Sequence, residues 1–529
     1  MKLAKSSLVP EIDRYCAASL GISVRHLMDR SGEAVARVVR ERVAPGGEVL
    51  IFAGSGNNGG DGYAAACKLH GDYRVTVFDV FSAGQRTEEG KYYLSAFRDA
   101  GGTVENFAMS DALALRIAHA ACIIDAIFGT GFHGEVPAEL IPLAEAIQKA
   151  VNVRKIAIDV PLGVNADDGS VAPFALYVGA TVELAMIKTG LVSYPARAYV
   201  GELVFDDLGL PLEDKIYPQF DIRDHLIEKV FVKLHLPERE KNSNKGSFGK
   251  LLVITGSERY HGAAALSLEG ALRGGAGYVT YLGTEDLVRE LSAKFPEALY
   301  QKMPAPDAMT EADMDAVAAL SEKNSATLIG CGSGNTPALA RLVVRLLGTG
   351  DTPLILDADA INALAAMGKE GLDALHAATR PVILTPHPLE FSRLAGQNVN
   401  DVQQHRIERA RAFVEEYGCT LVLKGAGTVV IDSEELFINH TGSSALAKAG
   451  SGDVLAGTLS SLIAMGTRPI IACALAVYFH GLAADHLAVK FSSFGVIPSD
   501  LPAQIGQEIA RIENDNSKAA HTLDRSLED

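Results

Sequence analysis

The feature that most constrains this chain is an alternation. Short runs that are apolar on both faces, "EVLIFAG", "RVTVFDVF", "ACIIDAIFG", "RKIAIDVP" and "ATVELAMI", are separated by stretches with helical spacing. A strand that alternates apolar and polar residues has one wet face. A run without alternation must be covered on both faces, and a parallel sheet flanked by helices does this. The first half therefore reads as a doubly wound α/β fold. After residue 245 a second series follows, "GKLLVITG", "GYVTYLG", "ATLIGCG", "PLILDAD", "PVILTPH" and "TLVLKGAGTVVID", which repeats the architecture but not the sequence.

At 529 residues the chain is too long for one ordinary domain. Between the two series, "PLEDKIYPQFDIRDHLIEKVFVKLHLPEREKNSNKGSFGK" is charged and turn-rich, which places the boundary near residues 212–235. The expected division is a domain over 1–215, a linker over 216–235, a second domain over 236–515 and a disordered tail over 516–529, where "ENDNSKAAHTLDRSLED" lacks an apolar stripe.

Net charge −17 removes any broad attraction to nucleic acid or to an anionic membrane, so a phosphate must be bound locally. Six cysteines without a C-x-x-C pair read as packed free thiols, which fits a reducing cytoplasm. "MKLAKSSLVPEIDRY" has no apolar core of a signal peptide, and Arg468, Pro469 and His480 interrupt the most apolar late segment. Neither export nor membrane spanning is expected.

Two groups of loops carry polar residues at strand ends, where ligands of open parallel sheets bind. In the first half, "GSGNNGGDGYAAACKLH" follows a strand and opens a helix, and Asp125 and Asp159 end two further strands. Glycines there permit close approach of a phosphate, or serve only tight packing, and the aspartates alone read equally as turn caps. In the second half Asp357, Asp359, His387, Glu390 and Lys424 follow strand ends, and "AGSGDVLAGTLSSLIAMG" sets Asp453 at a helix start behind two glycines. Asp453 alone is an ordinary N-cap; with the others it faces a place where free N–H groups and the helix dipole favour a phosphate.

"GSGNNGGDGYAAA", "DAIFGTGF", "DVPLGVNADDG" and "IKTGLVSYPARAYVGEL" resemble the epimerase domain of NAD(P)H-hydrate repair proteins, the YjeF N-terminal type, over residues 10–212. The resemblance implies a Rossmann-like domain that interconverts the R and S hydrates of NADH and NADPH. It implies that Asn57, Asn58, Gly59, Gly60 and Asp61 contact the substrate's phosphates and that Asn58 and Asp125 ligate potassium. Gly129, Thr130, Gly131, Phe132, His133, Gly134 and Glu135 would line the ligand, with Asp159 the acid/base group beside the damaged ring. The chain departs from the family pattern at Leu162, where a serine ordinarily supplies an ion ligand; a leucine offers only its carbonyl.

"TPHPLEF", "LKGAGTVV", "AGSGDVLAGTLSSLIAMG" and "AVYFHGLAAD" resemble the dehydratase half of the same family, a ribokinase-like α/β domain, over residues 225–512. That half removes water from the S hydrate using ADP or ATP with Mg2+. By the family's pattern Ala263, Gly332, His387 and Asp453 contact the hydrate, Asp453 as base. Lys424, Gly425, Ala426, Gly427, Thr428 and Gly452 hold the nucleotide. "GCGSG" at 330–334 keeps the glycines of the family's Gly-Pro-Gly-Leu-Gly. The implied partners are small molecules, NADHX, NADPHX and ADP, and a homo-oligomer is expected. The rival reading is a ribokinase-like vitamin-precursor kinase fused to a non-catalytic nucleotide-binding module.

Overall fold

The computed structural model describes residues 1–81 and 85–525. It forms two compact units, one over Lys2–Asp224 and one from His225 onward.

The first unit is built on a seven-stranded sheet. Its strands are β1 (Glu48–Ala53), β2 (Arg74–Asp79), β3 (Thr103–Asn106), β4 (Cys122–Ala126), β5 (Arg154–Ile158), β6 (Ala180–Leu184) and β7 (Glu202–Asp206). They lie in the order β3-β2-β1-β4-β5-β6-β7, all parallel. The burial pattern explains the continuous apolar runs. Along β1, Val49, Ile51 and Ala53 enter one apolar cluster with Val35, Val39 and Ala64, while Leu50 and Phe52 enter another with Leu113, Ile117 and Leu143. Strand order reverses between β1 and β4, so the loops after these two strands flank the crevice where a doubly wound sheet takes its ligand.

In the second unit the strands are β8 (Lys250–Ile254), β9 (Tyr278–Gly283), β10 (Leu299–Lys302), β11 (Ala326–Ile329), β12 (Leu354–Leu356), β13 (Val382–Leu384), β14 (Thr420–Leu423), β15 (Val429–Ile431) and β16 (Leu436–Ile438). The order β10-β9-β8-β11-β12-β13-β14-β15-β16 is parallel up to β14 and then turns back as an antiparallel meander.

The helix Ser451–Ala464 is buried along nearly its whole length against the helix His261–Arg273. Two glycines set that contact: a Cβ on Gly270 would stand 2.5 Å from the Val454 carbonyl oxygen, and one on Gly457 only 2.1 Å from that of Ser267. Backbone is in the way, so the helices would have to part. Gly457→Ala is expected to cost about 3 kcal/mol, the upper end for overpacking, and to lower the melting temperature by several degrees in thermal unfolding. An unchanged melting curve would contradict this packing.

Two expectations need correction. Residues 216–235 do not form a free linker: Ile216 and Ile222 are buried in the core of the first unit, and Ile227 and Val232 in that of the second. Apolar residues scattered among charges hid these short elements. The expected tail does not begin at 516, because the helix Leu501–Arg525, anchored by buried Leu501, Ile505 and Ile512, continues through it. No proline or glycine follows Gly506 to stop it; residues 526–529 lie outside the described residues. The late apolar segment is one helix, Pro469–Gly495, long and apolar enough to cross a membrane by composition. Its most apolar window is 78% buried inside the protein, as in a core helix.

Candidate functional site

In the first unit the loops after β1, β4 and β5 enclose a cavity of about 490 Å³ lined by Asn57, Asn58, Asp61, Gly129, Thr130, Gly131, Phe132 and Asp159. The helix Asn57–Leu69 starts behind Gly56 with no side chain capping it, which leaves its first N–H groups for a ligand. Several of the glycines serve packing instead. A Cβ on Gly54 would stand 2.0 Å from the Ile127 carbonyl oxygen, and one on Gly59 2.0 Å from that of Gly54. Gly59 and Gly60 are buried and outside the cavity lining, while His133, Gly134 and Glu135 are exposed beyond it.

Asp125, at the end of β4, accepts from the Ile127 N–H at 3.2 Å and the Leu162 N–H at 2.7 Å. Burial nevertheless pushes its carboxyl up to about 6. Asn58 donates to the Phe128 carbonyl at 2.6 Å, and its own side-chain oxygen is buried without a partner. The Leu162 side chain is packed in the apolar cluster below, and its carbonyl accepts from the Leu176 N–H.

Asp159 has φ +65°, a strained conformation for a non-glycine residue, and Ala185 and Leu208 on the same cavity are left-handed as well. The partner of Asp159 carries no role on sequence grounds. The ammonium of the fully buried Lys188 donates to its carboxylate and stands 3.3 Å from a Glu183 oxygen, also fully buried. Asp13, from the helix Val9–Ser19, lines the cavity opposite, and burial raises both it and Asp61 above the usual carboxylate range. The signal was present: Glu183 and Lys188 are charges inside "ATVELAMIK", an otherwise apolar run, and buried charges pair.

In the second unit the Cys331 thiol and the Asp357 and Asp453 carboxylates place ligand atoms within 4.8 Å of one another. Asp357 accepts from Lys424 Nζ at 2.9 Å, Thr385 Oγ1 at 2.7 Å and Cys331 Sγ at 3.3 Å. Asp453 sits in the first turn of its helix behind Gly450, which has φ +102°. Burial, reinforced by the charge of Asp357, pushes its carboxyl up to about 7, against the pull of Lys424 and Cys331. Such a carboxylate can take a proton near neutral pH.

Lys424 approaches Gly452 so closely that a Cβ there would lie 3.2 Å from Nζ. Its ammonium is buried, and Asp357 and Glu390 hold it above the ordinary lysine range against that burial. The turn that follows keeps Gly425 and Gly427 at positive φ, closed by Thr428 Oγ1 donating to the Gly425 carbonyl at 2.9 Å; Ala426 is exposed. Buried Arg406 pins this strand end through the carbonyls of Leu423 and Lys424. Ala263 and Gly332 meet, since a Cβ on Gly332 would stand 2.6 Å from that of Ala263. His387 forms a capping box with Glu390 at the start of the helix Pro388–Ala395. Burial, with Lys424 nearby, lowers its ring below the usual histidine range and keeps it neutral. Cys331 is the residue of this cluster that sequence reasoning reads only as a packed thiol; Asp357 stands out at its strand end without a specific role.

Family models match both units: "YjeF-related protein N-terminus" over residues 24–190 and "NAD(P)H-hydrate dehydratase" over residues 251–507. The bifunctional NAD(P)H-hydrate repair enzyme of Moorella thermoacetica is 32% identical over 95% of this chain and 95% of its own length. That of Coxiella burnetii is 33% identical over 94% of this chain and 97% of its own. The crystal structure of an ADP/ATP-dependent NAD(P)H-hydrate dehydratase from Bacillus subtilis, co-crystallised with ATP/Mg2+, is 32% identical. It covers 54% of this chain and 98% of that chain, with a TM-score of 0.47. This chain belongs to the bifunctional NAD(P)H-hydrate repair enzyme family, its YjeF-related unit preceding its dehydratase unit.

Proposed function

We propose that the two units act in sequence on hydrated NADH and NADPH, the first interconverting the R and S hydrates and the second dehydrating the S form with ADP. The observation that carries this reading is Asp453: a carboxyl held at about 7, in the first turn of a helix, beside Lys424 and Asp357 at the strand ends.

A hydroxyl is a poor leaving group, so it is first phosphorylated. Asp453 accepts the proton of the hydrate's hydroxyl as its oxygen attacks the terminal phosphorus of ADP and the bond to AMP breaks. Backbone N–H groups around Gly452 and the Lys424 ammonium stabilise the charge on the transferring oxygens. The phosphate then leaves with the C–O electron pair, and loss of a proton from the adjacent carbon restores the ring double bond. Bound with the nucleotide, Mg2+ would supply positive charge on its phosphates. Asp357 already accepts from Lys424, Thr385 and Cys331, which leaves its carboxylate little capacity to hold that ion.

In the first unit Asp159 is the acid/base group. The unpartnered Asn58 oxygen and the Asp125 carboxylate are hard donors that would hold K+, which would supply positive charge beside the substrate's phosphates. Leu162 contributes no side-chain ligand to that site.

Because the base must be ionised to accept a proton, kcat/KM for dehydration is expected to rise with pH up to about 7 and level off above it. The profile is measured with the S hydrate and saturating ADP. A flat profile between pH 5.5 and about 8 would contradict the assignment of Asp453. Accumulation of a phosphorylated vitamin precursor would favour a small-molecule kinase instead.

A further inference from the structure

The first unit contains a buried ion-pair system that the phosphate cradle of its loops does not use. Two donors of the Lys188 ammonium are spent, one on the Asp159 carboxylate and one on the Leu184 carbonyl at 3.1 Å, and Glu183 Oε2 stands 3.3 Å from the same nitrogen as an ion pair. Lys188 and Asp159 line the cavity, whereas Glu183 lies behind them in β6, fully buried, with no hydrogen bond to either oxygen. Two carboxylates around one buried ammonium are costly for stability alone. The strained backbone at Asp159 and Ala185 brings the chain into position on both sides of the pair.

The charged groups facing Lys188 are Asp159 and Glu183, with Asp61 and Asp13 across the cavity from their two helices. Burial pulls the ammonium down, and Asp159 and Glu183 more than offset it, so it stays protonated at rest. Burial pushes Glu183 up to about 8 even beside Lys188.

We propose that Asp159, Lys188 and Glu183 form a proton relay for epimerisation, with Lys188 the catalytic partner of Asp159 and Glu183 the positioning residue that holds it. This rests on Asp159 being the acid/base group. Asp159 takes the proton of the hydroxyl on the hydrated ring carbon, and the O–H electron pair becomes the second bond of an aldehyde. The ring C–N bond breaks with its pair going to nitrogen, which receives a proton from the Lys188 ammonium. The proton on Asp159 then passes along their hydrogen bond to the Lys188 amine, resetting both groups. Rotation about the adjoining C–C bond presents the other face of the aldehyde, and the reverse transfers close the opposite epimer. No oxidant, metal or net proton is consumed.

The test follows interconversion of the separated epimers by chromatography, without ADP, on the full chain. Lys188→Arg keeps the positive charge but does not release a proton, so kcat is expected to fall about 100-fold or more while KM stays within about threefold. Glu183→Gln removes the negative charge that faces Lys188 once Glu183 ionises above about pH 8, so the alkaline limb of the kcat profile moves to lower pH, an effect a purely structural role would not produce. Should Lys188→Arg fail to fold, that alkaline limb decides alone. Lys188→Arg turning over near the wild-type rate, or a Glu183→Gln profile superimposed on the wild type's, would overturn the relay. Wild-type epimerisation by Asp159→Asn would instead overturn the reading beneath it.

Discussion

Asp453→Asn is expected to remove ADP-dependent dehydration, lowering kcat by about 10³-fold, within the range for loss of a positioned general base. The change is isosteric and leaves the helix start, Lys424 and the surrounding N–H groups in place. It also removes a half-buried carboxylate whose ionised form is opposed by Asp357, so the fold is expected to be at least as stable. Titration calorimetry should show ADP binding retained while recovery of reduced nicotinamide from the S hydrate is lost. Turnover within a few fold of wild type would show that another group accepts the proton.

Asp159→Asn is the second large effect. Here the lost group is a carboxylate at the end of β5, and the amide that replaces it cannot take the hydroxyl proton. Epimerisation is expected to fall by about 10²-fold or more. With mixed epimers and ADP the variant should convert the S fraction and then stall, because the second unit is left without a supply of its substrate. Asparagine also tolerates the left-handed conformation at φ +65°, so the loop is retained. Full conversion at the wild-type rate would contradict the role given to Asp159.

The central strands were legible because burial on both faces leaves no room for polar residues. The runs that form β1, β4 and β8 are apolar apart from Glu48, Asp125 and Lys250 at or near their ends. Three of the strands that sequence reasoning passed over, Thr103–Asn106, Glu202–Asp206 and Leu299–Lys302, are sheet edges with largely exposed or half-exposed residues, whereas Leu436–Ile438 is buried but only three residues long. The edge sequences, TVEN, ELVFD and LYQK, carry the polarity an edge permits.

The candidate-site residues were legible where chemistry sits beside glycine at a strand end, as with Asp125, Asp159 and Lys424, or at a helix start, as with Asn58 and Asp453. The glycines themselves were ambiguous, and only coordinates show that Gly54 and Gly59 are demanded by backbone contact. Partners distant in sequence were not legible. Cys331 reads as a packed thiol until β11 and β12 bring it to Asp357. Lys188 reads as the end of an apolar run until β5 and β6 set it against Asp159.

The most direct measurement of the central claim supplies the intact protein with a mixture of both epimers and ADP and follows the absorbance of reduced nicotinamide to its end point. The account predicts complete recovery, with AMP and phosphate formed in step. Recovery of one epimer only would contradict epimerisation by the first unit, and no recovery would contradict dehydration at Asp453.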